Sequence, residues 1–249
     1  MITDCYDIET QPVASLRDFY GEPGHLIDRC LILFSLQIYE HLLAAFPCEK
    51  IGELGSCNGS RPIYKFNYKG TEVGFYLSMV GSACASSNVE EAAWITGATK
   101  YIMFGSCGSL NKEQTDGRFI LPTHSYRGEG CSYYYAPPAD YIEISNSNKM
   151  AELFTELQIP FVQGRVWTTD CMGRETRGLV AKRKEEGCIA VEMELAGVQA
   201  VCDFNGFSLY NFLEAGDVLG ENHYDTEGLN AANHDLNKLY IGLEIARRL

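Results

Sequence analysis

The stretch Gly187–Val198, GCIAVEMELAGV, decides the fold class of this chain. Cys188–Val191 is a short apolar run bounded by Gly187, which reads as a buried strand. Leu195, Val198, Val201 and Cys202 then recur at helical spacing, so a helix follows at once. A strand passing straight into a helix is a building unit of α/β domains. Glu192, Met193 and Glu194 occupy the junction. Two carboxylates beside buried chain are costly unless something pairs with them. A first-turn position favoured by the helix dipole accounts for one of them. It explains neither the intervening methionine nor the apolar strand behind it. A vicinal diol beside an apolar ring would explain both, because one carboxylate accepts two hydroxyl hydrogen bonds while a thioether packs on the ring.

Working outward, short apolar or alternating runs separate longer helical patterns. Strands are expected at Cys30–Ser35, in a hairpin across Phe66–Val80 turning near Lys69-Gly70, and at Tyr101–Phe104. Further strands are expected at Gly117–Gly128, Val162–Thr169, Cys188–Val191 and Phe207–Leu213. Helical patterns cover Leu36–Phe46, Asn88–Ala98, Lys149–Leu157, Glu175–Glu186, Glu194–Phe204 and Ala231–Arg248. In the last of these Leu236, Leu239, Tyr240, Leu243 and Ala246 share one face. Interleaved strands and helices imply an α/β fold with a mixed, mostly buried sheet. No repeat, low-complexity tract or linker divides the chain, so residues 1–249 read as one domain.

Composition narrows the function. With 20 basic and 33 acidic residues the net charge is −13, which argues against a general nucleic-acid surface. A small anion held by backbone amides stays open. The ten cysteines are scattered, with no C-x-x-C pair and no His/Cys cluster at zinc spacing, so no metal is expected. Reduced thiols fit a cytoplasmic location. The N-terminal MITDCYDIET carries no basic-then-apolar leader, and no apolar run approaches the roughly 20 residues of a membrane helix.

In open α/β sheets ligands bind beyond the carboxyl ends of strands. There, Tyr101–Phe104 runs into GSCGSL (Gly105–Leu110), where Ser106 offers a hydroxyl beside backbone amides in a turn suited to an anion. This stretch is neither a dinucleotide fingerprint nor a P-loop. Cys107 suggests a cysteine hydrolase, but no histidine has a recognisable partner context. VWTTDCMGRET (Val166–Thr176) follows another strand, with Asp170 placed to cap a helix and Arg174 and Arg177 either solvated or facing a ligand. FLEAGDVLG (Phe212–Gly220) puts Asp217 just past an apolar run, where a turn role is the simplest reading.

The ordered set FGSCGSL, RGEGCSYYY, VWTTD, VEMELAG and LEAGD resembles the nucleoside phosphorylase family of purine and uridine phosphorylases, from about Leu31 to Leu219 and on into the last helix. The resemblance implies a single α/β domain with a mixed, partly barrel-like central sheet flanked by helices, assembled as a dimer, trimer or hexamer. It implies cleavage of a ribosyl N-glycosidic bond by inorganic phosphate as co-substrate, without another cofactor; a hydrolytic branch, the nucleosidases, uses water. Carried over, Glu194 accepts the ribose hydroxyls with Met193 against the sugar, and Gly105 and Ser106 hold phosphate. Asp217 acts at the base as general acid, beside Thr168, Thr169 and Met172, with Glu192 structural. The pattern departs at Met103, where phosphorylases usually carry an arginine, and at Phe34–Leu42, which replaces a glycine-rich phosphate loop. Arg127 and Arg174 are the expected substitutes. A uridine phosphorylase, a nucleosidase and a non-catalytic nucleoside-binding protein are the rival readings.

Overall fold

The computed structural model describes residues 1–55, 57, 59–220 and 223–249. Its first half runs α1 (Leu16–Tyr20), β1 (Arg29–Leu33), α2 (Leu36–Ala45), β2 (Glu49–Leu54), β3 (Arg61–Tyr68), β4 (Thr71–Leu77), α3 (Ser82–Thr96) and β5 (Lys100–Ser109). Next come α4 (Lys112–Thr115), β6 (Phe119–Gly128), β7 (Tyr141–Glu143), α5 (Ser147–Glu156) and β8 (Phe161–Thr169). The chain ends with α6 (Arg177–Glu185), β9 (Cys188–Glu192), α7 (Leu195–Asn205), β10 (Ser208–Leu219), β11 (Tyr224–Asp225), α8 (Leu229–His234) and α9 (Leu236–Arg248).

Five strands close on themselves. β5 pairs antiparallel with β9, β9 parallel with β8, β8 parallel with β6, β6 antiparallel with β10, and β10 parallel with β5. β1 and β4, followed by β3 and β2, extend the sheet from β5 as an open wing. The expected partly barrel-like α/β domain is therefore present, with helices packed around it. No helix among the described residues is long and apolar enough to cross a membrane.

The wing and the barrel share one edge of β5. β10 runs along the other edge from Lys100 to Ser109, while β1 pairs only with Lys100–Met103 and β9 only with Gly108 and Ser109. Phe104–Cys107 is left without a partner strand on the shared edge, among the described residues. Sheets that split in this way leave a crevice at the strand ends, where ligands bind.

Two sequence expectations change here. Gly105–Leu110 is not a turn; β5 continues to Ser109 because its glycines fit the closing barrel. A Cβ on Gly108 would lie 2.4 Å from Leu219 Cδ1 and 3.1 Å from Val191 Cγ1. Asp217 is likewise on a strand, since β10 runs to Leu219 with a bulge between Ala215 and Asp217. Bulges re-aim side chains beside functional sites.

Helix boundaries shift for identifiable reasons. α3 starts at Ser82, not Asn88, because the small residues of SACASS let it pack tightly on α7. A Cβ on Gly197 of α7 would lie 2.0 Å from Ser82 Oγ. The last helical pattern breaks at Asp235, whose side chain accepts the Asn237 N–H at 2.9 Å and caps α9. Leu239, Leu243 and Ala246 are buried as expected, but Leu236 and Tyr240 are exposed and Lys238 is buried instead.

Candidate active site

The gap beside β5 opens into a cavity of about 420 Å³. Leu33, Phe34 and Ser35 close it from the end of β1, and Phe104–Gly108 form one wall. Met193, Glu194 and Asp217 face it, as do Met172 and Glu175. α8 and α9 add Asn233, His234 and Lys238. A wider groove of about 860 Å³ lies behind Glu214 and Asp217, but neither Ser106 nor Glu194 lines it.

The Glu-Met-Glu junction resolves into two roles. Glu192 Oε2 accepts the N–H groups of Glu194 and Leu195, each at 2.7 Å, so it satisfies the open first turn of α7. The Thr168 hydroxyl donates to Glu192 Oε1. Thr168 Oγ1 also accepts the Ala196 N–H at 2.9 Å and lies 2.7 Å from Ser125 Oγ. Burial, then the charge of Glu194, pushes the Glu192 carboxyl above its ordinary range.

Glu194 is positioned by this cap and by α3. Gly81 N–H, at the start of α3 with φ 101°, donates to Glu194 Oε1 at 2.7 Å. Burial raises the Glu194 carboxyl, and the Gly81 and Met193 amides oppose that rise. Asp217 is half-buried; burial raises it too, while a hydrogen bond with Tyr224 acts the other way. Glu175 is pushed up to about 7, first by burial and then by the charge of Asp217.

A second polar group lines the α8 side. The Ser106 hydroxyl donates to Asn233 Oδ1. Ser35 Oγ lies 2.8 Å from His234 Nδ1 and accepts the Ile38 N–H at 3.2 Å. Lys238 is 1% exposed; its ammonium donates to Ala232 O and lies 3.1 Å from Glu214 Oε2.

The cavity thus brings together Glu194, Met193, Gly105, Ser106, Asp217 and Met172. Four expected residues lie elsewhere. Arg127 is buried and directed inward: Nε donates to Ser132 Oγ at 2.7 Å, and the guanidinium donates to the carbonyls of Pro137 and Ala136. It also stacks over the Tyr133 ring at 4.1 Å, so its donors are engaged and it is not a cavity cation. Arg174 is exposed in a short 3-10 turn (Met172–Arg174) and does not line the cavity. Thr168 is buried behind the wall, supporting Glu192, and Thr169 is buried and accepts the Cys171 N–H. Asp170 caps no helix: its carboxylate accepts the Gly130 N–H at 3.1 Å, and Thr176 caps α6. Cys107 is buried and its thiol is pushed far up by that burial, which removes the cysteine-hydrolase reading.

Sequence reasoning missed Glu175, Tyr224, Asn233, His234 and Lys238. The helical pattern over Glu175–Glu186 makes Glu175 its first residue, whereas α6 begins at Arg177. Asp235 before Leu236 was a readable capping signal, and it would have separated α8 from α9.

A partly closed α/β barrel with a carboxylate-lined crevice at its split edge defines the class, and comparison with known proteins supplies the family. The model of the phosphorylase superfamily matches residues 29–236. This chain belongs to the phosphorylase superfamily. It is similar to a purine nucleoside phosphorylase DeoD-type of Bacillus cytotoxicus, 24% identical over 153 residues, which cover 60% of this chain and 65% of that one. The same description and figures hold for relatives in Bacillus cereus and Bacillus thuringiensis. The match thus spans just under two thirds of these relatives. The fold is similar to that of the Campylobacter jejuni 5′-methylthioadenosine/S-adenosyl homocysteine nucleosidase, with TM-score 0.69 and 21% identity, covering 90% of this chain and 100% of that one.

Proposed function

We propose that this protein cleaves the N-glycosidic bond of a purine ribonucleoside, with water as the nucleophile. The observation that carries the reading is one cavity lined by Glu194, Met193 and Asp217. Glu194, fixed by Gly81 and by the Glu192 cap, accepts the ribose 2′ and 3′ hydroxyls while Met193 packs on the sugar. Bond breaking passes through an oxocarbenium-like state, and a fixed carboxylate on the diol favours the charge that develops. Burial shifts the Asp217 carboxyl toward its protonated form, the direction that a general acid at N7 of the departing purine needs. The phosphorylases and the nucleosidase that this chain resembles act on purine nucleosides by their names, which supports the substrate class.

Charge favours water over phosphate. Glu175, Glu192, Glu194 and Asp217 all line the cavity, and no arginine does so among the described residues. Lys238 is already engaged by Glu214 and Ala232. A phosphate dianion would find no free guanidinium or ammonium among the described lining residues, and any ionised carboxyl there would oppose it. Phosphorolysis is the second reading, favoured by the Ser106 hydroxyl and by the unpartnered strand edge at Phe104–Cys107. Incubating a panel of nucleosides with and without phosphate separates the two. Free ribose and unchanged base release in phosphate-free buffer support hydrolysis; ribose 1-phosphate formed only with phosphate overturns it.

A further inference from the structure

We infer that Glu175 is a specificity-determining residue, which with Asp217 reads the N7 and 6-position edge of the bound purine and selects a 6-aminopurine over a 6-oxopurine. The inference rests on the purine-ribonucleoside reading of the cavity. Glu175 lies between two anchored positions: the 3-10 turn before it, and Thr176, whose side chain caps α6. It is half-buried, lines the same cavity as Asp217, and its carboxylate has no hydrogen-bond or ion-pair partner among the described residues. Among the described residues Asp217 has the Tyr224 hydroxyl and no cation.

Two neighbouring carboxyl groups with no cation between them do not both ionise at low cost, so the pair tends to keep one proton. Both groups are raised by burial, and the charge of Asp217 adds to the rise at Glu175. Whichever residue holds the proton, the pair offers one O–H donor and otherwise acceptors. A 6-aminopurine presents N7 as acceptor and the amino group as donor, which matches that pattern. A 6-oxopurine presents two acceptors, so a carboxylate oxygen would face a carbonyl oxygen. Among the described residues Met172 and Tyr224 complete this part of the cavity, the Tyr224 hydroxyl being hydrogen-bonded to Asp217.

Calorimetric binding of free adenine, hypoxanthine and unsubstituted purine tests this without relying on catalysis. Wild type should bind adenine roughly ten- to hundredfold more tightly than hypoxanthine. Adenine should also exceed purine, which lacks the amino donor. In Glu175→Gln the amide can donate to O6, so the adenine preference should fall below about threefold. A merely structural role would weaken both bases alike and leave their ratio unchanged. Hypoxanthine binding as tightly as adenine to wild type, a ratio untouched in Glu175→Gln, or no base binding at all overturns the inference. Discrimination without cleavage of any nucleoside would sink the catalytic reading and leave Glu175 as the base selector; cleavage without discrimination would do the reverse.

Discussion

At the residue scale, the proposed function gives each carboxyl of the cavity a separate task. Glu192→Gln should cost about 1–3 kcal/mol of stability, because an amide nitrogen replaces one acceptor that Thr168 or the α7 amides require. Denaturant unfolding measures that cost, and turnover should fall far less than in Glu194→Gln. Glu175 supplies a pH-dependent term. Its ordinary value is 4.5 and its folded value about 7, so between them the folded state holds the proton more firmly than the unfolded chain. The stability this contributes is full below the unfolded value and is lost as pH rises through the folded one. Glu175→Gln should therefore match wild type near about pH 4 and unfold at a higher temperature than wild type near about pH 8. A variant that is less stable than wild type at the higher pH would contradict that sign.

At the element scale, close packing explains both what the sequence revealed and what it hid. The strand Cys188–Glu192 and helix Leu195–Asn205 were legible because apolar periodicity changes abruptly at the junction. The far end of β5 was hidden because Gly105 and Gly108 read as turn residues, while their lack of a side chain serves barrel closure. The first turns of α3 were hidden for the same reason, small polar residues standing where two helices meet. Glu194, Met193 and Asp217 were found through the motifs that carry them; Glu175 and the α8–α9 residues depend on tertiary placement that no local pattern encodes. Gly108→Ala tests the closure: its Cβ would press on Leu219 and lie 3.3 Å from Asp217 Oδ2. It should lose about 1–3 kcal/mol of stability and lower activity by shifting Asp217, read by unfolding and by base release on one preparation. Arg127→Met should destabilise by about 2–4 kcal/mol through the carbonyls left unsatisfied at Ala136 and Pro137, with no change in phosphate dependence. A raised phosphate requirement in that variant would restore its expected anion role.

At the scale of the whole molecule, the split between barrel and wing is what creates the site. β1 leaves β5 where β9 has not yet arrived, and the edge between them faces a cavity lined also by the β9–α7 junction, α8 and β10. The net charge of −13 continues into the cavity, whose four carboxyl groups suit a neutral nucleoside better than a phosphorylated one. The resemblance implies a homo-oligomer, which light scattering of the full chain measures. On the proposed function, Glu194 and the cavity it faces cleave a purine ribonucleoside. The most direct measurement is release of free purine from adenosine and inosine by wild type, Glu192→Gln and Glu194→Gln under identical conditions. Wild type should release base from at least one of the two, and Glu194→Gln should be slower by about a hundredfold or more, with Glu192→Gln much closer to wild type. No base released by wild type, or equal rates in wild type and Glu194→Gln, would contradict the account.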